Sequence, residues 1–280
     1  MAKLIKGKKI AKDIEENLKK QVLKFKRKPK LAVILVGQDS ASHIYVKMKK
    51  RVAQRIGVGV EVFIFDQNVS QENLIKKIYS LNQNKTIDGI LVQLPLPESL
   101  DTKKIISCID PEKDIDGFHP LNKGFLLNNQ NKSQRFVPCT ALGVLELIKK
   151  YTDIQGKKAV VVGRSNIVGK PIACLLLENN ATVEICHSHT KNLKEQTKSA
   201  DILVVAVGKK NFITSDMVKK GAVVIDVGIN RIGKKLFGDL DFNKVKNKAG
   251  YITPVPGGVG PMTVIMLMKN VIKAKNLNQA

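Results

Sequence analysis

The chain has 280 residues, 43% of them hydrophobic, which is enough for one large core or two modest ones. Lysine and arginine total 48 against 24 acidic residues, a net charge of +24. Only six of those cations are arginines, aromatic residues make up 5% and tryptophan is absent, so the charge reads as a lysine-rich solvated surface and not as a nucleic-acid interface. No apolar run approaches the roughly 18 residues of a membrane span. The segment MAKLIKGKKIAKDIEE has no apolar stretch of the signal-peptide kind. Cys108, Cys139, Cys174 and Cys186 are too scattered for a zinc knuckle or a disulfide frame. The expectation is a soluble, cytoplasmic protein with no metal, no membrane and no nucleic-acid partner.

In chain order, the first predicted helix, KKIAKDIEENLKKQVLKFKRK, carries Ile10, Ile14, Leu18, Val22 and Phe25 along one stripe. Apolar runs at 31–37, 60–65 and 89–94 read as strands, separated by amphipathic stretches at 42–56 and 70–82. Uninterrupted apolar strands between helices imply a parallel sheet covered on both faces. Tyr45 and Lys49, at i and i+4, share a face of the 42–56 helix. The strand GILVQL delivers Gln93 at its end, beside Leu94, where Pro95 and Pro97 set an unusual turn. A strained proline turn alone would also account for that pattern. PEKDIDGFHPLNKG (111–124) places Asp114 and Asp116 in a loop too rich in Pro, Gly and Asn to be core.

After Pro138 the rhythm restarts, with strand-like runs at 159–163, 181–186, 201–208 and 222–228. GRSNIVGKP follows the first of them. The dinucleotide fingerprint G-x-G-x-x-G asks for a second glycine at 165, but the chain has Arg164 and Ser165 between Gly163 and Gly169. A phosphate loop G-x-x-x-x-G-K-[ST] is ruled out: five residues separate the glycines, and Pro171 stands where a magnesium-binding hydroxyl belongs. A nucleophile elbow fails too, since Asn166 and Ile167 follow Ser165. The dinucleotide reading survives. The second strand ends in CHSHT, with no carboxylate to bind a ribose 2′-hydroxyl or to repel a 2′-phosphate. Arg164 and Ser188, at the ends of adjacent strands, could bind that phosphate by charge-assisted hydrogen bonds. The reading is NADP in preference to NAD, held by Gly163, Arg164, Ser165, His187 and Ser188, with a surface arginine beside a tight turn as the bland alternative. Cys186, His187 and His189 form one short cluster without a distant partner, so they read as a strand end and not as a metal site. ITPVPGGVGPMT (252–263) is a second rigid loop with exposed glycine backbone, and the last helix opens near Pro261. Two α/β lobes result, with a boundary near Thr140 and a cleft between them.

Six segments, in order, carry a resemblance: the Y-x-x-x-K helix, VQLPLP, PEKDIDGFHP, PCT, VVGRSNIVGKP and TPVPGGVGPMT. Over essentially the whole chain they resemble the bifunctional methylenetetrahydrofolate dehydrogenase/methenyltetrahydrofolate cyclohydrolase family. That resemblance implies an N-terminal parallel-sheet α/β/α lobe (1–139) that binds folate and carries the catalysis, with a C-terminal helix (262–280) returning to it. It implies a Rossmann-like NADP-binding lobe at 140–261. The implied activity is oxidation of 5,10-methylenetetrahydrofolate with NADP, then hydrolysis to 10-formyltetrahydrofolate. The second step needs proton shuttling near neutral pH, which suits an amine of lowered pKa. The resemblance assigns that role to Lys49, with Tyr45 lining the folate pocket, Gln93 hydrogen-bonding the lysine and Asp116 anchoring the pterin. Leu94 and the Pro256, Gly257 and Gly258 backbone would border the folate, and Gly208 and Ile229 the cofactor. A homodimer acting on folates, polyglutamylated ones included, is implied as well. The chain departs from the family pattern at Arg51, where lysine is frequent, and at Ala141 and Lys210, where proline is common. The alternatives are a dehydrogenase without the hydrolytic step and, from another class, a basic nucleic-acid-binding protein on this scaffold.

Overall fold

A computed structural model describes residues 1–233 and 235–278. Strand β1 (Lys3–Leu4) precedes helix α1 (Gly7–Val22), followed by β2 (Lys30–Val36), α2 (Ser40–Ile56), β3 (Gly59–Phe65), α3 (Gln71–Gln83) and β4 (Gly89–Val92). Two short helices come next, α4 (Thr102–Ser107) and α5 (Pro120–Leu127). The second series runs α6 (Cys139–Lys149), β5 (Lys158–Val162), α7 (Gly169–Glu178), β6 (Thr182–Cys186), α8 (Leu193–Lys198), β7 (Ile202–Val205) and β8 (Val223–Asp226). A hairpin of β9 (Asn230–Ile232) and β10 (Lys235–Phe237), the single turn α9 (Phe242–Val245), β11 (Tyr251–Ile252) and the long α10 (Val259–Leu277) complete it.

The chain divides into two compact units. One consists of Met1–Lys12 and Pro138–Thr263, the other of Asp13–Val137 and the described residues from Val264 onward. The second of these is built on a parallel three-stranded sheet in the order β3-β2-β4. Its central strand, β2, is buried from Leu31 to Val36, as a strand covered on both faces must be. The α2 helix is cut to length by its caps. The Asp39 carboxylate accepts from the Ser42 amide at its start, and Gly57, at φ 94°, ends it in a left-handed turn open to glycine. Buried Lys113 donates to the Leu81, Asn82 and Asn84 carbonyls, satisfying orphan acceptors at the end of α3. Desolvation lowers the pKa of that amine.

The other unit holds a six-stranded sheet, β1-β11-β8-β7-β5-β6, parallel throughout. Its middle strands β7 and β8 are buried at every residue. The α/β alternation expected from the apolar runs is the organisation present. Several bounds differ, among them the first helix, which ends at Val22 and leaves Phe25 beyond it. The 201–208 run is a strand only as far as Val205, because the amides of Val207, Gly208 and Lys209 donate to the Asp239 carboxylate and not to a neighbouring strand. The last helix begins two residues before Pro261, whose missing N–H falls among those that a helix start leaves unpaired anyway. Strands β1, β11, β9 and β10 had no expectation attached, since two or three residues carry no readable alternation.

Candidate active site

In the unit built on β2, two of the expected residues, Lys49 and Gln93, are in direct contact. Tyr45 and Lys49 lie one turn apart on α2, and Lys49 Nζ donates to Gln93 Oε1 at 3.0 Å. Gln93 follows β4 directly and is buried, with its amide N–H bound to the Ile34 carbonyl at 2.9 Å. Its side-chain nitrogen donates to the Leu94 carbonyl at 2.8 Å, which turns Oε1 toward the lysine. The turn that follows contains a cis Leu94–Pro95 peptide bond. Burial raises the pKa of the Tyr45 phenol, so this hydroxyl stays protonated at neutral pH.

Asp116 reaches the same end of the sheet through its loop. Asp114 bridges to Ile90 in the parallel sense, so the 114–116 segment runs alongside β4 and both Asp116 and Gln93 lie beyond the bridge in the same direction. Gly89 permits this approach, because a Cβ there would sit 2.6 Å from the Ile115 side chain. Asp114 is buried and ties the loop together: its carboxylate accepts from the amides of Phe118 (3.1 Å) and His119 (2.7 Å) and from Asn122 Nδ2 (2.9 Å). Desolvation outweighs those bonds and raises its pKa to about 7. Asp116 itself is half-buried.

The nucleotide candidates cluster at the carboxyl ends of β5 and β6, where an open parallel sheet binds ligands. Gly163, at φ 124°, and Gly169 make the turn as tight as it is. A Cβ on the first would overlap the Ala206 carbonyl oxygen, and one on the second would overlap the Gly163 carbonyl oxygen. The result is a glycine-only cradle at the start of the ten-residue helix α7. Ser165 Oγ accepts from the Val168 and Gly169 amides, so this hydroxyl caps the turn and keeps its own proton to donate. Arg164 and Ser188 are exposed, each two residues past the end of its strand, and these strands are neighbours. His187 is half-buried; its amide donates to Thr190 Oγ1 and its Nδ1 accepts from the His189 amide. Gly208 (φ 66°) and Ile229 are exposed beyond β7 and β8. These residues fit a dinucleotide: a glycine turn at a helix start, a cation and a hydroxyl just past the ends of adjacent strands, and no carboxylate at the β6 tip. Among the described residues no group of three or more metal-ligating side chains occurs.

The Pro256-Gly257-Gly258 segment belongs to the same unit as the cradle. It has a cis Val255–Pro256 bond, and Gly257 sits at φ 104°. The Gly257 carbonyl accepts from the Lys8 amide at 3.0 Å, and Gly7 is glycine because a Cβ would overlap the Gly258 carbonyl oxygen. Two buried carboxylates that sequence reading did not single out, Asp226 and Asp239, lie behind the 207–209 and 228–230 segments. Asp226 lies in VVIDVG and Asp239 in GDLDF, and neither setting marks the acid as one that holds backbone amides. Of the departures, Lys210 places its ammonium 3.9 Å from the centre of the Phe237 ring, and Ala141 is buried in α6.

Comparison with known proteins follows this division. Residues 5–116 match the tetrahydrofolate dehydrogenase/cyclohydrolase catalytic domain, and residues 138–279 match the NAD(P)-binding domain of the same family. The bifunctional protein FolD of a Nitratiruptor species is 55% identical over 276 residues, 97% of each chain. The crystal structure of the bifunctional FolD dehydrogenase/cyclohydrolase from Campylobacter jejuni superimposes with a TM-score of 0.96 at 46% identity, covering 99% of this chain and 100% of that one. The Trypanosoma brucei enzyme, solved with NADP cofactor and inhibitor, gives 0.94 at 38% identity over 100% and 99%.

Proposed function

Because the chain belongs to the tetrahydrofolate dehydrogenase/cyclohydrolase family, we propose that it oxidises 5,10-methylenetetrahydrofolate with NADP and hydrolyses the 5,10-methenyl product to 10-formyltetrahydrofolate. The Lys49–Gln93 hydrogen bond carries the hydrolytic half of this reading. The methenyl carbon is already cationic and electrophilic, so water can add to it directly. What the step requires is a group that takes the proton of the attacking water and returns one to the departing ring nitrogen. Lys49 does this, held by Gln93, with Tyr45 one turn away lining the pterin. Asp116 accepts hydrogen bonds from the amino-pyrimidine edge of the pterin, where a carboxylate matches paired N–H donors. Leu94 and the Pro256-Gly257-Gly258 backbone border the folate.

Bound NADP supplies the hydride acceptor of the first step. The chain's task there is to hold and orient: the Gly163–Gly169 cradle with Ser165 takes phosphate, Arg164 and Ser188 take the 2′-phosphate, and His187, Gly208 and Ile229 border the rest. The deciding experiment follows the methenyl absorbance. With methylenetetrahydrofolate and NADP, absorbance rises and then decays. In Lys49→Met the decay slows by roughly 10²–10⁴-fold, the usual contribution of a general acid–base group, while NADP binding persists. Decay at the native rate would remove Lys49 from the reaction.

The chain works in the cytoplasm, a setting in keeping with four free cysteines and with the lack, among the described residues, of any helix long and apolar enough to cross a membrane. It acts as a homodimer: β3 is an edge strand with one unpaired side and Ile64 60% exposed, an arrangement that isolated chains avoid. The lysine-rich surface favours polyglutamylated folates, whose extra carboxylates it attracts.

A further inference from the structure

Asp239 is fully buried and has no cation against it in any ion pair among the described residues; its carboxylate is neutralised by N–H groups instead. Oδ2 accepts from the amides of Val207 (2.7 Å) and Gly208 (2.9 Å). Oδ1 accepts from the Lys209 amide (2.9 Å) and from Asn230 Nδ2 (2.9 Å). Three consecutive backbone donors on one carboxylate define the shape of the segment after β7 closely, since an isolated chain rarely turns three amides inward together.

The Asp239 backbone is fixed in turn. Its own amide donates to Asp226 Oδ1 (2.9 Å), which also accepts from Gly228, while the Leu240 amide donates to Asp226 Oδ2 (3.1 Å). Asp226 ends β8, and its amide donates to Thr253 Oγ1 at 2.7 Å. Glycines make room for both acids: a Cβ at Gly228 would overlap the Asp239 carboxylate, and one at Gly238 the Asp226 carboxylate. Lys210, stacked on Phe237, joins the same two segments from outside. Everything in this network converges on the loops that leave the carboxyl ends of the adjacent central strands β7 and β8, and those loops carry Gly208 and Ile229.

We propose that Asp239 is a positioning residue for hydride transfer: it sets the backbone of Val207–Lys209 and, through Asn230, the Ile229 segment against which the nicotinamide cofactor lies. This rests on the reading that Gly208 and Ile229 border the cofactor. It assigns Asp239 to one of the two activities only, because hydrolysis of a supplied methenyl substrate consumes no nucleotide.

The test uses the full chain with Asp239→Asn, in which one oxygen must do the work of two and an amide N–H₂ faces two N–H donors. The expected result is a rise of about tenfold or more in KM for NADP, from loss of charge-assisted hydrogen bonds, with a fall in dehydrogenase kcat. Hydrolysis of added 5,10-methenyltetrahydrofolate stays within about twofold of native. Amide hydrogen exchange gives the readout that separates positioning from unfolding. The amides of 207–209 lose protection, while those of Val160–Val162 and Val224–Ile225 keep it. Loss of protection at 207–209 with unchanged NADP kinetics would overturn the proposal. If the central strands also open, Asn230→Ala, which leaves the carboxylate and its three backbone donors in place and removes one side-chain nitrogen shared by Oδ1 and the Phe237 and Gly238 carbonyls, replaces it: a several-fold rise in KM for NADP supports the role, and native kinetics defeat it. A native chain that fails to reduce NADP with methylenetetrahydrofolate in the same assay would instead defeat the functional reading itself.

Discussion

Replacing Gln93 with methionine keeps the length of the side chain and removes both its acceptor and its donor. Two bonds are lost. The first is the acceptor for Lys49 Nζ at 3.0 Å, a hydrogen bond to a buried partner that becomes charge-assisted as the amine takes up the proton of the attacking water. Such bonds contribute about 1.5–3 kcal/mol, which corresponds to roughly 10- to 150-fold in rate if the bond serves the transition state. The second is the donor to the Leu94 carbonyl at 2.8 Å, a neutral bond worth about 1 kcal/mol of stability. For a unit of this size that lowers Tm by about 2–4 °C. Gln93→Met should therefore remain folded, bind NADP as before and hydrolyse methenyltetrahydrofolate one to two orders of magnitude more slowly. The assay is decay of the methenyl absorbance with no nucleotide present, alongside Lys49→Met. If Lys49→Met is inactive and Gln93→Met is within twofold of native, the glutamine does not position the lysine and the reasoning fails. A matched loss of hydrolysis and of NADP binding would refute it from the other side, as a general disturbance.

Arg164→Ala should weaken NADP by about ten- to a hundredfold, the loss of one charged hydrogen bond, and leave NAD nearly untouched; equal losses in paired titrations would exclude a 2′-phosphate role. Gly169→Ala forces a Cβ onto the Gly163 carbonyl oxygen, so NADPH fluorescence titration should show at least tenfold weaker binding with about 1–3 kcal/mol of overpacking strain; native affinity would mean that the turn yields without cost. Asp114 tests linkage. Desolvation raises its pKa from the ordinary 3.8 to about 7, so between those values the folded chain holds a proton that the unfolded chain has released. Stability from this group falls as pH rises through that window and is constant above it. In urea titrations, Asp114→Asn should lack this slope, so the native chain loses ground to the variant between about pH 4 and pH 7; parallel profiles would contradict the assignment. If the β3 edge carries the proposed homodimer interface, sedimentation should give a dimer for the native chain and a monomer for Ile64→Glu; a monomeric native chain, or an unchanged mass in the variant, would refute that assignment.

What could be read from residues alone follows from how far each signal reaches along the chain. Runs such as LAVILV and AVVV announce buried parallel strands because burial on both faces removes polar residues from the run itself. Gln93 and Asp116 were legible for a related reason: a lone polar residue at a strand end, or an acid in a Pro/Gly-rich loop, departs from its own surroundings. Lys49 emerged only through its spacing from Tyr45 and the family pattern, since one lysine among so many carries no signal. Asp239 was illegible. The amides that it holds lie about thirty residues earlier in the chain, and backbone donors leave no trace in side-chain identity. The same bonds explain why the 201–208 run looked like a longer strand than it is: Val207 is apolar enough for a strand, but its amide is already taken.

The pairing of β1 with β11 means that Lys3 and Leu4 find their neighbours at Tyr251 and Ile252. During synthesis β1 must wait for β11, some 250 residues later, before its backbone groups are matched, so the six-stranded sheet is sealed only after β11 is made. Until then fully buried Ile5 and the side of β8 that β11 covers have no shelter. A bulky insertion beside β1 would thus disturb the NAD(P)-binding unit, whose partner strand lies some 250 residues downstream, more than the unit encoded just after it.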